Sequence, residues 1–87
     1  MKYTYLDMAN AINKEWITVN EVQILSGRGR AKSYEIVNEI AREIQSEGKL
    51  LRKLKPMLIP TKRVLEHLEL DENEIFRKAK RQKGLEG

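Results

Sequence analysis

The chain contains no cysteine, which excludes a disulfide framework and a thiolate metal site. It has no apolar run long enough for a membrane-spanning helix, and its start, MKYTYLDMANAIN, lacks the apolar core of a signal peptide. A cytoplasmic location is the expectation. Histidine occurs once, at His67, and a lone histidine on RVLEHLEL has no partners for a metal site or a catalytic set. Phosphate loop, nucleophile elbow and dinucleotide fingerprint are all absent. SGRGR has two glycines but neither the strand nor the lysine–serine ending those motifs need. No enzyme activity, cofactor or metal is expected. No internal repeat or low-complexity segment breaks the chain.

What remains is a length of 87 residues, 40% hydrophobic and 34% charged, which fits one small globular domain over residues 1–87. The net charge of +4 is unevenly spread. Residues 1–26 carry −1, residues 27–63 carry +6 and residues 64–87 carry −1. A positive middle favours a polyanion, with nucleic acid ahead of an anionic membrane.

The apolar spacing is mostly helical. TYLDMANAIN places Leu6, Ala9 and Ile12 at helical intervals, with Thr4 as a cap. In ITVNEVQILSG, Thr18 and Glu21 have capping-box spacing, Val19 and Val22 lead the apolar side, with Ile24 and Leu25 as further members, and Gly27 is the stop. A longer helix is predicted from about Arg30 to Glu47, with Tyr34, Val37, Ile40, Ala41 and Ile44 as its stripe and Gly48 as a left-handed cap. The two prolines, Pro56 and Pro60, bracket MLI. Two short strands are expected there, Leu50–Arg52 and Met57–Ile59, joined by a basic turn at Lys53–Lys55. PTKRVLEHLEL reads as a helix with Val64, Leu65 and Leu68 inward. A last helix is expected from the Asp71–Glu74 capping box, with Ile75, Phe76 and Ala79 as its stripe and Gly84 as its stop.

The predicted fold is therefore mainly α with a small β-hairpin. A short helix, a tight turn and a longer helix make a helix-turn-helix, and a hairpin directly after it makes a winged one. The winged core spans about 17–70, with a helical extension over 71–87.

The stretch LSGRGRAKSYEIV carries the main functional expectation. In a helix-turn-helix the second helix points its N-terminal end into the major groove while the turn lies on the backbone. Gly27 and Gly29 let the chain come close to a phosphate, and the helix-start amides carry partial positive charge. Arg28, Arg30 and Lys32 add full charges, and arginine can read guanine bidentately. Ala31, Lys32, Ser33 and Glu35 are the side chains expected at base edges, with Asn38 as a further one. The face opposite the apolar stripe carries Glu35, Glu39 and Arg42, with Glu43 nearby, so only the N-terminal turn is expected to enter. Arg52, Lys53 and Lys55, at the hairpin tip, are expected on a neighbouring groove or backbone.

Other features have plainer readings. Trp16 is expected as a staple over the second helix and Tyr34 as part of the core stripe, with stacking on bases as the alternative for both. Glu66, Glu69, Asp71, Glu72 and Glu74 lack calcium-loop spacing and read as caps and solvated faces. Arg77, Lys78, Lys80, Arg81 and Lys83 read as the solvated face of the last helix, with phosphate or protein contact as the alternatives.

ITVNEVQILSGRGRAKSYEIVNEIAREI, a basic hairpin and IPTKRVLEHL together resemble the small winged-helix excisionases, or recombination directionality factors, of phages and integrative elements. The shared pattern is the T-V-x-E-V start, the glycine-marked turn, the Ile36–Val37 pair, and Ile59-Pro60 through Val64. It covers roughly residues 17–68. The resemblance implies binding and bending of double-stranded attachment-site DNA, a bias of an integrase towards excision, contact with that integrase, and cooperative binding at neighbouring sites. It implies Arg28, Arg30, Lys32, Ser33, Arg52, Lys53 and Lys55 as the contact residues. The additional N-terminal helix and the segment Asp71–Lys83 depart from the pattern. A transcriptional regulator of element genes shares the same fold, and a protein-interaction module such as an antirepressor is a third reading. A domain this small reaches few base pairs alone, so a homodimer or a cooperative assembly on DNA is expected.

Overall fold

Two threonines start the first two helices. A computed structural model describes residues 3–49 and 57–86. Helix α1, Tyr5–Ile12, opens on a complete capping box. The Asp7 amide donates to Thr4 Oγ1 at 3.2 Å and the Thr4 amide donates back to Asp7 Oδ2 at 3.0 Å. Helix α2, Val19–Ser26, repeats the device with Thr18 and Glu21. The Thr18 amide donates to Glu21 Oε2 at 2.9 Å, and the Asn20 amide donates to Thr18 Oγ1 at 3.3 Å. Each box satisfies amides that a helix start otherwise leaves unpaired.

Helix α3, Arg30–Ser46, is the longest element. Its buried side is Ser33, Ile36, Val37, Ile40, Ala41 and Ile44. This corrects the expected stripe twice: Tyr34 is 44% exposed and Ser33 takes the inward place, and Ile36, absent from the expected stripe, is buried as well. Positions 33, 36, 37, 40, 41 and 44 follow the i, i+3, i+4, i+7 pattern of a single face, which Tyr34 leaves by one residue. Gly27 and Gly48 end α2 and α3 with φ of +69° and +81°, the left-handed region that a Cβ disfavours.

The two-stranded sheet differs from the expected hairpin. Strand β1, Trp16–Ile17, lies before α2 and pairs antiparallel with β2, Ile59–Pro60, with Trp16 opposite Pro60 and Ile17 opposite Ile59. The expected strand Leu50–Arg52 and turn Lys53–Lys55 lie outside the described residues. Ile17 and Ile59 are both fully buried, which supplies the reason for the pairing. Beside them the Thr61 amide donates to the Glu15 carbonyl at 2.9 Å, and Thr61 Oγ1 donates to the Lys14 carbonyl. Trp16 is 49% exposed and is not the staple. Ile17 and Val22, the residues before the cap and at the fourth helical position, fill that role and are both fully buried.

Helix α4, Thr61–His67, buries Val64 and Leu65, with Leu68 packed at the edge of the core. Helix α5, Glu72–Glu86, begins with the Asn73 amide donating to Asp71 Oδ1 at 2.9 Å. Glu74 does not close the expected box but pairs with Lys78 at 2.8 Å. The helix also passes through Gly84 instead of stopping there. Ile75 and Ala79 are buried, whereas Phe76 turns outward and is 38% exposed. Helix α5 packs on α1, α1 packs on α2, and α2 packs on α3. Among the described residues no helix is long and apolar enough to cross a membrane.

Two predictions follow from this packing. Burial pushes the Glu21 carboxyl up, but the Thr18 hydroxyl, the Thr18 amide and Lys14 outweigh it and hold the pKa at about 2, against 4.5 for the free group. A depressed carboxylate stabilises the fold above its unfolded pKa and loses that contribution as pH falls towards its folded one. Denaturant unfolding should therefore show stability declining from about pH 4.5 to about pH 2, with Glu21→Gln flattening that decline. Ser33 is fully buried and its Oγ has no hydrogen-bond partner. Ser33→Ala should raise unfolding stability by about 1 kcal/mol, since it removes an unsatisfied polar atom with little change of shape.

Candidate nucleic-acid interface

The turn between α2 and α3 is three residues long and its geometry follows from its glycines. Gly27 takes the left-handed conformation and donates its amide to the Gln23 carbonyl at 2.9 Å, which closes α2. The Arg28 amide donates to Ser26 Oγ at 3.1 Å. Gly29 is extended, with φ −68° and ψ 171°, and stands at the cap position of α3.

That cap is empty of side chain. Unlike α1 and α2, helix α3 starts with no side-chain hydrogen bond to its first amides and no acidic residue in its first turn. The first turn of backbone bonding begins with the Ser33 amide donating to the Gly29 carbonyl at 3.0 Å. The amides of Arg30, Ala31 and Lys32 precede it and point out of the helix start, where the macrodipole is positive. Arg28, Gly29, Arg30, Ala31, Lys32 and Glu35 are all exposed around this end. Basic side chains at a helix start oppose the dipole, each at a cost of about 0.3–1 kcal/mol. An anion placed there reverses the sign of both terms.

Arg30 is the most constrained of the three cations. One terminal nitrogen donates to Asn20 Oδ1 at 3.1 Å, on α2. The other donates to the Tyr34 hydroxyl at 3.2 Å, one turn along α3. Its guanidinium carbon lies 5.2 Å from the centre of the Tyr34 ring, within cation–π range. The guanidinium therefore bridges the two helices in a set orientation, with N–H groups still unused. Asn20 and Tyr34 were not among the sequence-derived site residues. The i, i+4 spacing of Arg30 and Tyr34 was the available signal for half of this arrangement.

Lys32 pairs with Glu35 at 3.2 Å, but both are well exposed and the pair is weak. Ser33 must be removed from the contact set, because it is fully buried between α3 and the core and its side chain reaches no solvent. Asn38 is exposed one turn further on. Glu39, Arg42 and Glu43 are exposed along the rest of α3, and Glu39 lies 3.4 Å from His67 Nε2 on α4. Past its first turns, the outer face of α3 is thus lined with carboxylates. Arg52, Lys53 and Lys55 lie outside the described residues.

No protein-family model, curated protein or solved structure matches this chain.

The bare cap gives a direct test. A Cβ at Gly29 meets nothing within 4 Å and its φ is ordinary, so an aspartate fits there without strain. Gly29→Asp should stabilise the fold by about 0.5–1 kcal/mol through the cap and the dipole, measured by urea unfolding.

Proposed function

We propose that this protein is a sequence-specific, double-stranded-DNA-binding protein of winged helix-turn-helix type, with α2 and α3 as the two helices of the motif. The observation that carries the proposal is the uncapped start of α3, surrounded by the exposed Arg28, Arg30 and Lys32. A phosphate oxygen seated at Gly29–Lys32 receives backbone N–H donors, and the nearby arginines neutralise it. Arg30, held by Asn20 and Tyr34, presents its remaining donors to a base edge. The carboxylates along α3 limit entry to the N-terminal turns, so the helix meets the groove end-on.

The pattern from Thr18 to Val64 that resembles excisionases extends this reading. The protein acts on attachment-site DNA of a phage or integrative element in the cytoplasm, bends it, and engages an integrase. By the same resemblance Arg52, Lys53 and Lys55 add DNA contacts, and cooperative binding of several copies supplies the specificity that one small domain lacks.

The test is a footprint and affinity titration on the element's attachment-site and promoter DNA at two salt concentrations. A defined footprint that weakens as salt rises is expected. Protection over the promoter and not the attachment site would reassign the protein as a transcriptional regulator. Arg28→Ala combined with Arg30→Ala should lower specific affinity by roughly tenfold or more, since each good base or phosphate contact is worth about 1–3 kcal/mol. Wild-type binding by that double variant would remove the α3 start from the interface. Gly29→Asp should weaken DNA binding while stabilising the fold, a combination that a purely structural turn would not produce.

A further inference from the structure

The second half of α5 carries a row of cations for which the α3 interface has no use. From Arg77 to Lys83 the helix holds five basic residues and no acidic one. Its inner side is committed to the fold. Ile75 and Ala79 are buried, and Lys78 is paired with Glu74 at 2.8 Å and stacked 5.1 Å from the centre of the Tyr5 ring. The outer side holds Arg77, Lys80, Arg81 and Lys83, all exposed, and none of them forms an ion pair among the described residues.

Helix geometry sharpens this. Arg77 is followed by Lys80 and Arg81 at i+3 and i+4, so these three are surface neighbours and repel one another. A basic residue in the last turn alone suits the macrodipole, but Arg77 lies only one turn beyond the acidic start, where that compensation fades. The row therefore opposes helix formation when free and is relieved by a facing line of negative charge. From Phe76 to Lys83 it offers little apolar surface to insert into a bilayer, because Ala79 is buried and Phe76 is 38% exposed. A surface of fixed, regularly spaced anions fits it best.

We propose that the outer face of α5 is a second phosphate-binding surface, which grips the backbone of duplex DNA independently of the α3 start. It rests on the duplex-DNA reading above and extends it. Helix α5 packs on α1 and not chiefly on α3, so its contacts lie apart from the α2–α3 turn and lengthen the stretch of duplex held by one copy. Contacts to phosphates position the duplex and carry no base information.

The experiment compares the salt dependence of binding by the full chain to a specific and to a mixed-sequence duplex. For B-DNA the slope of log K against log salt is about −0.9 for each phosphate neutralised. Arg77→Gln with Arg81→Gln should make the slope shallower by about 2 on both duplexes and leave the ratio of specific to mixed-sequence affinity unchanged. Glutamine is a good helix former, and an unchanged circular dichroism spectrum checks that α5 persists. Arg77→Lys with Arg81→Lys should keep the wild-type slope. Arg42→Gln with Lys62→Gln, which removes the same charge from other exposed sites, should do so as well. A wild-type slope in the Arg77/Arg81 glutamine variant overturns the proposal while leaving the α3 reading intact. So does an equal loss in the Arg42/Lys62 control, which would reduce the effect to net charge. If that glutamine variant instead loses binding only to phosphatidylserine vesicles, the face belongs to a membrane and the proposal is again overturned. A wild-type chain with no salt-dependent duplex affinity overturns both readings together.

Discussion

The arrangement of the helices depends on one short tie between distant parts of the chain. Ile17 and Ile59 sit opposite each other in the two-stranded sheet, and neither has any exposed surface. The Thr61 amide and hydroxyl reach the carbonyls of Glu15 and Lys14 beside them. This joins the residues just before α2 to the residues just before α4. With both helix starts anchored at one place, α3 is held across the core and its N-terminal end is left at the surface. A two-residue strand has little stability of its own, so the pairing depends on the burial of the two isoleucines as much as on backbone hydrogen bonds.

The α3 start gains its character by contrast with its neighbours. Helices α1 and α2 begin with threonine–carboxylate boxes that consume their free amides. Helix α3 begins with glycine and then a run that includes two cations. Two boxed helix starts beside the bare start of α3 leave free donors and positive charge together at that end. The α2–α3 turn then fixes where that end faces, and the Asn20–Arg30–Tyr34 arrangement fixes one guanidinium within it. Helix α4 also starts without a side-chain cap, but the Thr61 amide there is taken up by the Glu15 carbonyl, whereas the first amides of α3 have no side-chain partner.

Most of this was legible in the sequence because caps and glycine stops are local. Thr4, Thr18, Gly27 and Gly48 each act within four residues, and their spacing alone defines them. The long helix was clear for the same reason, though its stripe wrongly took in Tyr34 and missed Ser33 and Ile36. Tyr34 reads as core by composition, whereas the i, i+3, i+4 arithmetic favours Ser33, a small residue that packs inward without a partner for its hydroxyl. The sheet was hidden because two residues show no alternation, and the partner of Ile59 lies more than forty positions away at Ile17. The Arg30 bridge to Asn20 needed the crossing of α2 and α3, which no spacing along one helix discloses. Gly84 failed as a stop because the packing of α5 on α1, with Ile75 and Ala79 buried, carries the helix past a single unfavourable position.

The most direct test of the central claim is to follow the backbone amide resonances of the whole chain by NMR while duplex DNA containing its site is added at low and then at high salt. The amides of Gly29 to Lys32 should shift most, together with the Arg30 side-chain resonances, and the shifts should recede as salt is raised. A titration in which those amides keep their free positions while others move, or in which nothing moves, would contradict the account.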